Sequence, residues 1–371
     1  MTRSVDALFR PFTLNGLQLP NRIVMAPMTR WHSPEGVPGA DVAAYYRRRA
    51  ENDCGLIITE GTTVDHPVAS YSVRVPNFHG AALPAWRNVV EQVHDAGGKI
   101  MPQLWHVGVS RRPAMDYPNK HLPSVSPSGL FLPEKSPVAP PATQAEIRAV
   151  IDAFASAARA ARELGFDGVA IHGAHGYLFD QFFWAPINRR DDEYGGDLIG
   201  RTRFAVETLQ AIRREVGADF PILFRISQWK EQDYTAKLAR SPQELGELLQ
   251  ILATAGVDAF DCSQRRYWEP EFPDSSLNLA GWAKQLTGKA TMTVGSVGLS
   301  KELVTRGSEA LGQRAEVANL DPLLERLEAG EFDLVAVGRA MLADPEWPKK
   351  VREQRFDELR PFTPQALENL F

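Results

Sequence analysis

The chain has 371 residues, a net charge of −5 and two cysteines, and 44% of its residues are hydrophobic. This length suits one large α/β domain, and the negative charge argues against a nucleic-acid-binding face, which needs clustered basic residues. Cys54 and Cys262 are too few for a disulfide framework or for an iron–sulfur cluster held by four thiolates. Residues 1–10 lack the apolar core of a signal peptide, and no apolar run reaches the roughly 18 residues of a membrane-spanning helix. These features predict a cytoplasmic protein with no membrane partner.

The first predicted element is a β-hairpin at residues 12–19, because Asn15-Gly16 separates two apolar runs and suits a tight hairpin turn. Eight short apolar runs follow, at residues 23–26, 56–59, 99–104, 168–171, 222–226, 259–262, 291–294 and 334–337. Their dense apolar character without strict alternation is typical of strands buried on both faces of a parallel sheet.

Three helices between these runs have both a start and a stop signal. They begin near Pro84, at the capping box of Thr143 and Glu146, and at Ser241-Pro242, and they end at Gly97, Gly165 and Gly256. Each helix is followed almost at once by an apolar run, so strands and helices alternate along the chain.

This alternation predicts an α/β fold, a (β/α)8 TIM barrel in a single domain over residues 1–371, with the N-terminal β-hairpin capping its bottom. The other possibility, a Rossmann sheet, lacks the Gly-x-Gly-x-x-Gly turn after its first strand. The irregular stretch at residues 107–141 follows the third strand. We therefore expect it on the face that carries the active site in such barrels.

Polar or glycine residues follow seven of the predicted strands, at the ends that form the active-site face of a TIM barrel. The fourth strand ends in His172, His175 and Tyr177, and we expect the chemistry to centre there. The last two strands end in Gly295-Ser296 and Gly338-Arg339. In this fold these loops commonly hold a phosphate, since glycine admits backbone N–H groups to the anion and arginine adds a charge. The alternative is that these are only turn glycines.

The two histidines allow three interpretations. Metal binding would need further ligands, and no acidic residue occurs in the motif or at the fifth strand end. Two structural histidines in a glycine-rich loop are the second interpretation. The third is a pair of N–H donors that polarise a substrate oxygen, with Tyr177 as general acid. A Schiff-base aldolase would need a lysine inside the barrel, whereas Lys230 lies beyond a strand end.

Four motifs together resemble the old yellow enzyme family of FMN-dependent ene-reductases, and the likeness covers almost the whole chain. They are NRIVMAPMT at 21–29, QLWHVG at 103–108, IHGAHGY at 171–177 with NRRDDEYGG at 188–196, and VGRAMLADP at 337–345. The resemblance implies bound FMN, NADH or NADPH as co-substrate, and a small α,β-unsaturated carbonyl or nitro compound as substrate. Hydride would pass from flavin N5 to the β-carbon of this enone.

The resemblance also implies roles for individual residues. The cofactor-binding set would be Pro27, Met28, Thr29, Gly61, Gln103, Arg225, Gly295, Ser296, Gly338 and Arg339. Thr29 would tune the flavin, Gln103 and Arg225 would bond its polar edge, and the four last residues would hold its phosphate. His172 and His175 would bond the substrate carbonyl, and Tyr177 would protonate the α-carbon. Trp31 and Trp105 would line the substrate pocket, and no metal is expected.

Departures from the family pattern leave the substrate open. Residues 197–204 read DLIGRTRF where the family usually has Ser-x-Glu-Asn-Arg-x-Arg-Phe, and residues 227–234 are unfamiliar and border the same pocket. The alternatives are a related flavin barrel acting as an amine demethylase or nitroester reductase and, from another class, a catalytically silent small-molecule binder. The sequence does not distinguish NADH from NADPH, or a monomer from a homodimer.

Overall fold

The computed structural model describes residues 3–111, 116–302 and 313–371. Its strands are β1 (Phe12–Leu14), β2 (Leu17–Leu19), β3 (Ile23–Met25), β4 (Leu56–Thr63), β5 (Ile100–Trp105), β6 (Val169–His172), β7 (Ile222–Ile226), β8 (Ala259–Ser263), β9 (Ala290–Val294) and β10 (Leu334–Val337). Strands β3 to β10 form a closed parallel barrel, in which β10 pairs with β3 and so completes the ring. The predicted (β/α)8 TIM barrel is confirmed.

The helices lie between these strands and after the last one. They are α1 (Asp6–Phe9), α2 (Ala40–Ala50), α3 (Ala82–Asp95), α4 (Gln144–Leu164), α5 (Leu178–Phe183), α6 (Leu198–Val216), α7 (Pro242–Ala255), α8 (Leu279–Thr287), α9 (Asp321–Glu328), α10 (Arg339–Ala343) and α11 (Trp347–Arg352). Both halves of the predicted capping box form, because Thr143 and Glu146 each accept the other's backbone N–H. Across the described ranges, no helix has the length and apolar character needed to cross a bilayer.

The hairpin of β1 and β2 closes the bottom of the barrel, as predicted. Its turn has positive φ angles at Asn15 (42°) and Gly16 (84°), which suits the Asn-Gly pair. Leu14 and Leu19 are buried in the same apolar cluster as the lowest inward side chains of the barrel strands. The Asn15 amide also donates to the Ala218 carbonyl (2.9 Å), just before β7 begins.

The barrel interior changes from apolar to polar towards the carboxyl ends of its strands. Met101, Ala170, Leu223 and Ala259 belong to the buried apolar cluster. Side chains on a strand share a face every two residues, so the next inward positions on these strands hold Gln103, His172, Arg225 and Asp261. This alternation places the predicted polar residues in one layer at the top of the barrel.

The irregular stretch after β5 is a loop apart from a 3-10 turn at Gly108–Ser110. Residues 112–115 of it lie outside the described residues. Leu130 packs with Trp184, Ile187 and Ala236, so this part of the loop rests on the chain that follows α5. It therefore lies beside the fourth strand end, on the face that was predicted for it.

Replacing Leu14 with Ala tests the role of the hairpin. Leu14 is 2% exposed, and removing a buried leucine side chain leaves a cavity that costs about 2–5 kcal/mol of unfolding free energy. Urea denaturation measures this loss. The exposed Thr13→Ala variant is the control, with an expected change within about 0.5 kcal/mol. Equal stability of the two variants would show that the hairpin is not a plug.

Candidate active site

A cavity of about 160 Å³ opens at the carboxyl ends of the barrel strands. The predicted site residues that line it are Pro27, Met28, His175, Arg225, Gly295, Ser296, Gly338 and Arg339. They come from strand ends that are far apart in sequence, so closure of the barrel brings them together.

An aromatic wall adjoins this cavity and holds the remaining predicted catalytic and pocket residues. The rings of Trp105 and His172 are stacked with centroids 5.7 Å apart. Tyr177 meets both rings edge-on, at 4.7 Å from Trp105 and 4.9 Å from His172. Tyr71, which was not predicted, lies edge-on to Trp105 at 5.1 Å, and Trp31 packs against the same cluster.

Gly61 makes room for this wall. A Cβ atom at this position would lie 2.4 Å from Cε3 of Trp105, closer than real contacts allow. Gly61 pairs with Gln103 across β4 and β5, beyond a register shift after Ile58. Its lack of a side chain therefore allows the Trp105 ring to lie flat across the top of β4.

Both histidines of the fourth strand end are electrically neutral at neutral pH. Burial lowers the pKa of His172 well below its usual value, and the nearby Arg225 charge lowers it further. Burial has the same effect on the pKa of His175, followed by His172, Arg225 and Lys230. The His172 Nδ1 atom accepts the Ala174 N–H at 3.4 Å, which favours the tautomer with its proton on Nε2.

The side chains around His175 were missed by the sequence analysis. Its ring stacks on Trp229 with centroids 4.3 Å apart, and its Nε2 atom lies 2.8 Å from Oγ of Ser263. Trp229 and Ser263 also line the cavity, together with Arg265. The only sequence signal for them was the unfamiliar segment after the fifth strand, to which Trp229 belongs.

Arg225 has an acidic partner that was also missed. Its Nε atom lies 2.7 Å from Oδ2 of Asp261, with both side chains almost fully buried. Burial raises the pKa of Asp261, and the Arg225 charge opposes this rise. The two residues are register partners on β7 and β8. The pair therefore places a guanidinium at the cavity without leaving its charge unmatched.

The loops after β9 and β10 meet at Arg339. Its guanidinium donates to Oγ of Ser296 at 3.4 Å and to the Lys301 carbonyl at 2.5 Å. Burial lowers the pKa of Arg339 to about 10, with Glu302 opposing, so the side chain stays protonated at neutral pH. Ser296 has a positive φ of 56°, and its hydroxyl donates to the Arg265 carbonyl at 3.0 Å. This corner therefore offers a partly buried cation to an anionic ligand.

Glu60, near the end of β4, holds the backbone of the first strand end. Its Oε2 atom accepts the Arg30 N–H at 2.7 Å, and its side chain is 1% exposed. Burial raises the pKa of this carboxyl to about 7, while bonds from the Arg30 and Trp31 backbone and the Arg30 charge oppose the rise. Thr29 and Trp31, both predicted site residues, flank this anchored residue.

A set of metal ligands is not present in the part of the chain that the structure describes. No three side chains of the His, Cys, Asp or Glu type are grouped there to hold an ion.

Comparisons with known proteins agree with this geometry. The model of the NADH:flavin oxidoreductase / NADH oxidase family matches residues 7–358. The chain is 33% identical over 348 residues to 12-oxophytodienoate reductase 1 of Oryza sativa subsp. japonica, covering 92% of this chain and 85% of that protein. The structure of morphinone reductase in complex with tetrahydroNAD has a TM-score of 0.80 at 27% identity, covering 97% of this chain and 93% of that one. The old yellow enzyme homologue from Zymomonas mobilis has a TM-score of 0.78 at 26% identity, covering 98% and 96%.

The fold and these matches define an oxidoreductase of the flavin-dependent TIM-barrel class. The chain belongs to the old yellow enzyme family of NADH:flavin oxidoreductases, as its motifs predicted. It is an enzyme that uses FMN as cofactor and NAD(P)H as reductant.

A Glu60→Gln variant tests the buried carboxyl at the first strand end. The pKa of Glu60 in the folded protein, about 7, lies above its ordinary value of 4.5. The protonated form is therefore favoured by folding, and this contribution is complete below about pH 4.5 and is lost as pH rises through 7. Glutamine stays neutral. Between pH 5 and pH 8 the unfolding free energy of the variant should therefore fall less than that of the wild type, and the difference should be on the order of 2 kcal/mol. Chemical denaturation at each pH measures it.

The exposed Glu51→Gln variant is the control for Glu60→Gln, and its stability curve should run parallel to that of the wild type. If the Glu60→Gln curve is also parallel, the carboxyl does not titrate in this range.

Proposed function

We propose that this flavin oxidoreductase reduces the C=C bond of α,β-unsaturated carbonyl compounds. His172 and His175 bind the carbonyl oxygen, and Tyr177 donates the proton. The observation that carries this proposal is the grouping of two neutral imidazoles and a tyrosine at one strand end, beside a cavity lined by cationic and glycine residues. The matches to reductases named for 12-oxophytodienoate and morphinone favour this reaction over amine demethylation or nitroester reduction.

The residues around the cavity fit FMN. Gln103 is 2% exposed and its amide nitrogen has no hydrogen-bond partner among the described residues, so a ligand carbonyl would satisfy it. Gly338 lines the cavity, and a Cβ atom there would make an ordinary van der Waals contact with Sδ of Met28 at 3.6 Å. We assign the ring's polar edge to Gln103 and Arg225, and the phosphate to the corner of Ser296 and Arg339.

Five further residues complete the proposed cofactor site. Pro27 and Met28 line the cavity where the flat face of the ring would rest, and Gly295 precedes the phosphate corner. Thr29 lies beside them, with its side chain in hydrogen-bond contact with Tyr71. We assign Thr29 to the polar centre of the flavin ring of FMN. The contact between the Gly61 backbone and FMN stays a prediction. FMN, when bound, supplies to the substrate the hydride that NAD(P)H provides.

The histidines stabilise the charge that grows on the substrate oxygen as the β-carbon is reduced. His172 offers Nε2–H from a ring fixed by stacking on Trp105. His175 is fixed by Trp229 on its face and by Ser263 at Nε2. A donor held in place before the reaction needs no reorganisation, and losing one such donor typically costs on the order of 3 kcal/mol of transition-state stabilisation.

Tyr177 is placed to protonate the α-carbon. Its side chain is 5% exposed and packs between Trp105 and His172. These contacts hold the ring in one position, and we assign the proton transfer to its hydroxyl. Trp31 and Trp105 bound the substrate side of the cavity in this assignment.

We propose that NADH or NADPH is the co-substrate. The absence of a nucleic-acid partner, the cytoplasmic location and the monomeric or homodimeric state remain predictions.

Replacing His172 or His175 with Ala tests the carbonyl donors. We expect enone-driven reoxidation of the reduced enzyme to slow by roughly 100-fold, and phenol binding to the oxidised enzyme to weaken. Reduction by NAD(P)H should change far less, because it does not charge a carbonyl oxygen. Anaerobic stopped-flow absorbance with cyclohexenone measures the rate of reoxidation. Titration with phenol, followed by the long-wavelength absorbance band of its complex with the enzyme, measures phenol binding.

The matched variant for the histidine test is Tyr177→Phe, which should slow reoxidation but leave phenol bound. Equal losses in both half-reactions for the His172→Ala and His175→Ala variants would refute the assigned role of the histidines.

An Arg339→Ala variant tests the phosphate corner. Loss of a charge-assisted contact of about 1.5–3 kcal/mol should weaken FMN binding by roughly 10- to 100-fold. Quenching of FMN fluorescence on titration of the apoprotein measures the dissociation constant. Arg355→Ala, on the exposed chain after α11, is the control and should bind FMN as the wild type does. A wild-type preparation that is colourless and cannot take up FMN would refute the cofactor assignment itself.

A further inference from the structure

We propose that Lys230 and Asp180 are positioning residues for the reaction: their buried ion pair holds the turn between His175 and Tyr177 in its working conformation. The inference rests on the proposed function of these two residues. It concerns the turn formed by His175, Gly176 and Tyr177, called here the catalytic turn.

The ion pair is fully enclosed and touches the catalytic turn directly. The Lys230 Nζ atom lies 2.8 Å from Oδ1 of Asp180, and both side chains are 0% exposed. The other carboxylate oxygen, Oδ2, accepts the Gly176 N–H at 2.6 Å. Lys230 also donates to the Gln228 carbonyl at 3.0 Å, which fixes its ammonium group on the other side. One carboxylate therefore links α5, the chain after β7 and the middle of the catalytic turn.

The catalytic turn needs such support because its backbone is strained. His175 has a φ of 65° and Gly176 a φ of 81°, and a side chain with a Cβ atom rarely adopts the first conformation. The φ of Gly176 favours glycine, and a Cβ atom there would lie 2.1 Å from the Gln232 amide oxygen, so the Gln232 side chain would have to move. The conformation persists only where the surroundings determine it.

The same chain that carries Lys230 holds the rest of the turn. The Ser227 hydroxyl accepts the His175 N–H at 2.9 Å, and the Glu231 N–H donates to the His175 carbonyl at 3.1 Å. Lys230 and Asp233 exchange two backbone hydrogen bonds of 3.1 Å, which fold this chain back on itself. Its position relative to the turn is therefore fixed by the Lys230–Asp180 pair at its centre.

The pair also contributes to the electrostatics of His175. The Lys230 charge lowers the pKa of this imidazole, after the larger effects of burial, His172 and Arg225. A neutral ring on a fixed backbone is the state that donates a single N–H to a substrate oxygen. The ion pair acts on both of these features, whereas it touches neither the cavity nor the cofactor residues.

Purified FMN-bound Lys230→Met/Asp180→Asn tests this role, because removing both charges leaves no unpaired buried ion. We expect the affinity for phenol, measured from the long-wavelength absorbance band of the phenol complex, to fall on the order of 10-fold or more. The rate at which cyclohexenone reoxidises the dithionite-reduced enzyme should fall to a similar extent. The phenol titration gives an affinity ratio that a loss of global stability would not change. Hydrogen exchange by mass spectrometry should also rise in the peptide covering 172–183.

The matched control is Lys350→Met/Asp344→Asn, which removes another buried ion pair, 2.9 Å long, in the chain after α10. It should lower stability without changing phenol affinity or exchange in 172–183. Unchanged exchange in that peptide for Lys230→Met/Asp180→Asn would overturn the proposal, as would equal phenol affinity losses in both double variants. If wild-type enzyme binds no phenol and is not reoxidised by enones, the proposed function fails, and the exchange result still decides whether the pair holds the turn.

Discussion

Closure of the eight-strand barrel is the constraint on which the site depends, because each strand offers only every second side chain to the interior. The register between β6 and β7 sets His172 beside Arg225, and the register between β7 and β8 sets Arg225 beside Asp261. A slip of one residue on any of these strands would turn its polar side chain away from the lumen. The apolar packing lower in the barrel fixes the register and so arranges the chemistry above it.

The polar layer is balanced so that its charges do not act as free ions. Arg225 is matched by Asp261, and Lys230 by Asp180, in pairs that are almost fully buried. Between them, both histidines are neutral because burial and the Arg225 charge lower the pKa of each ring, and the Lys230 charge further lowers that of His175. Neutral donors in a site of low dielectric favour a substrate that is itself neutral and gains negative charge only during the reaction.

The sequence predicted the barrel well because its evidence is local. The bounds of β7 and β10, the hairpin turn and the capping box of α4 each follow from residues that are neighbours in the chain. Placement of His172 at a strand end needed nothing more. Asp261 and Ser263 were missed because a single acid or hydroxyl in an apolar strand does not show what lies across the barrel. Trp229 was missed because its partner His175 is reached only through a tertiary contact.

Three non-glycine residues with positive φ lie at the site, and each is held by a hydroxyl or carboxylate from its surroundings. Trp31 (φ 55°) has its N–H bonded to Glu60, and His175 (φ 65°) is bonded to Ser227. Ser296 (φ 56°) is held by its own hydroxyl, whose Oγ lies within hydrogen-bond distance of the Arg265 carbonyl (3.0 Å) and the Lys301 carbonyl (3.1 Å) and can donate to either. In the proposed assignment, Trp31 lies on the substrate side, His175 is a carbonyl donor, and Ser296 belongs to the phosphate corner. Strained backbone tends to persist at functional sites where a fixed side-chain direction is needed. At Trp31 and His175, therefore, the buried side chains of Glu60 and Ser227, which lie outside the proposed reacting residues, hold the backbone beside the pocket.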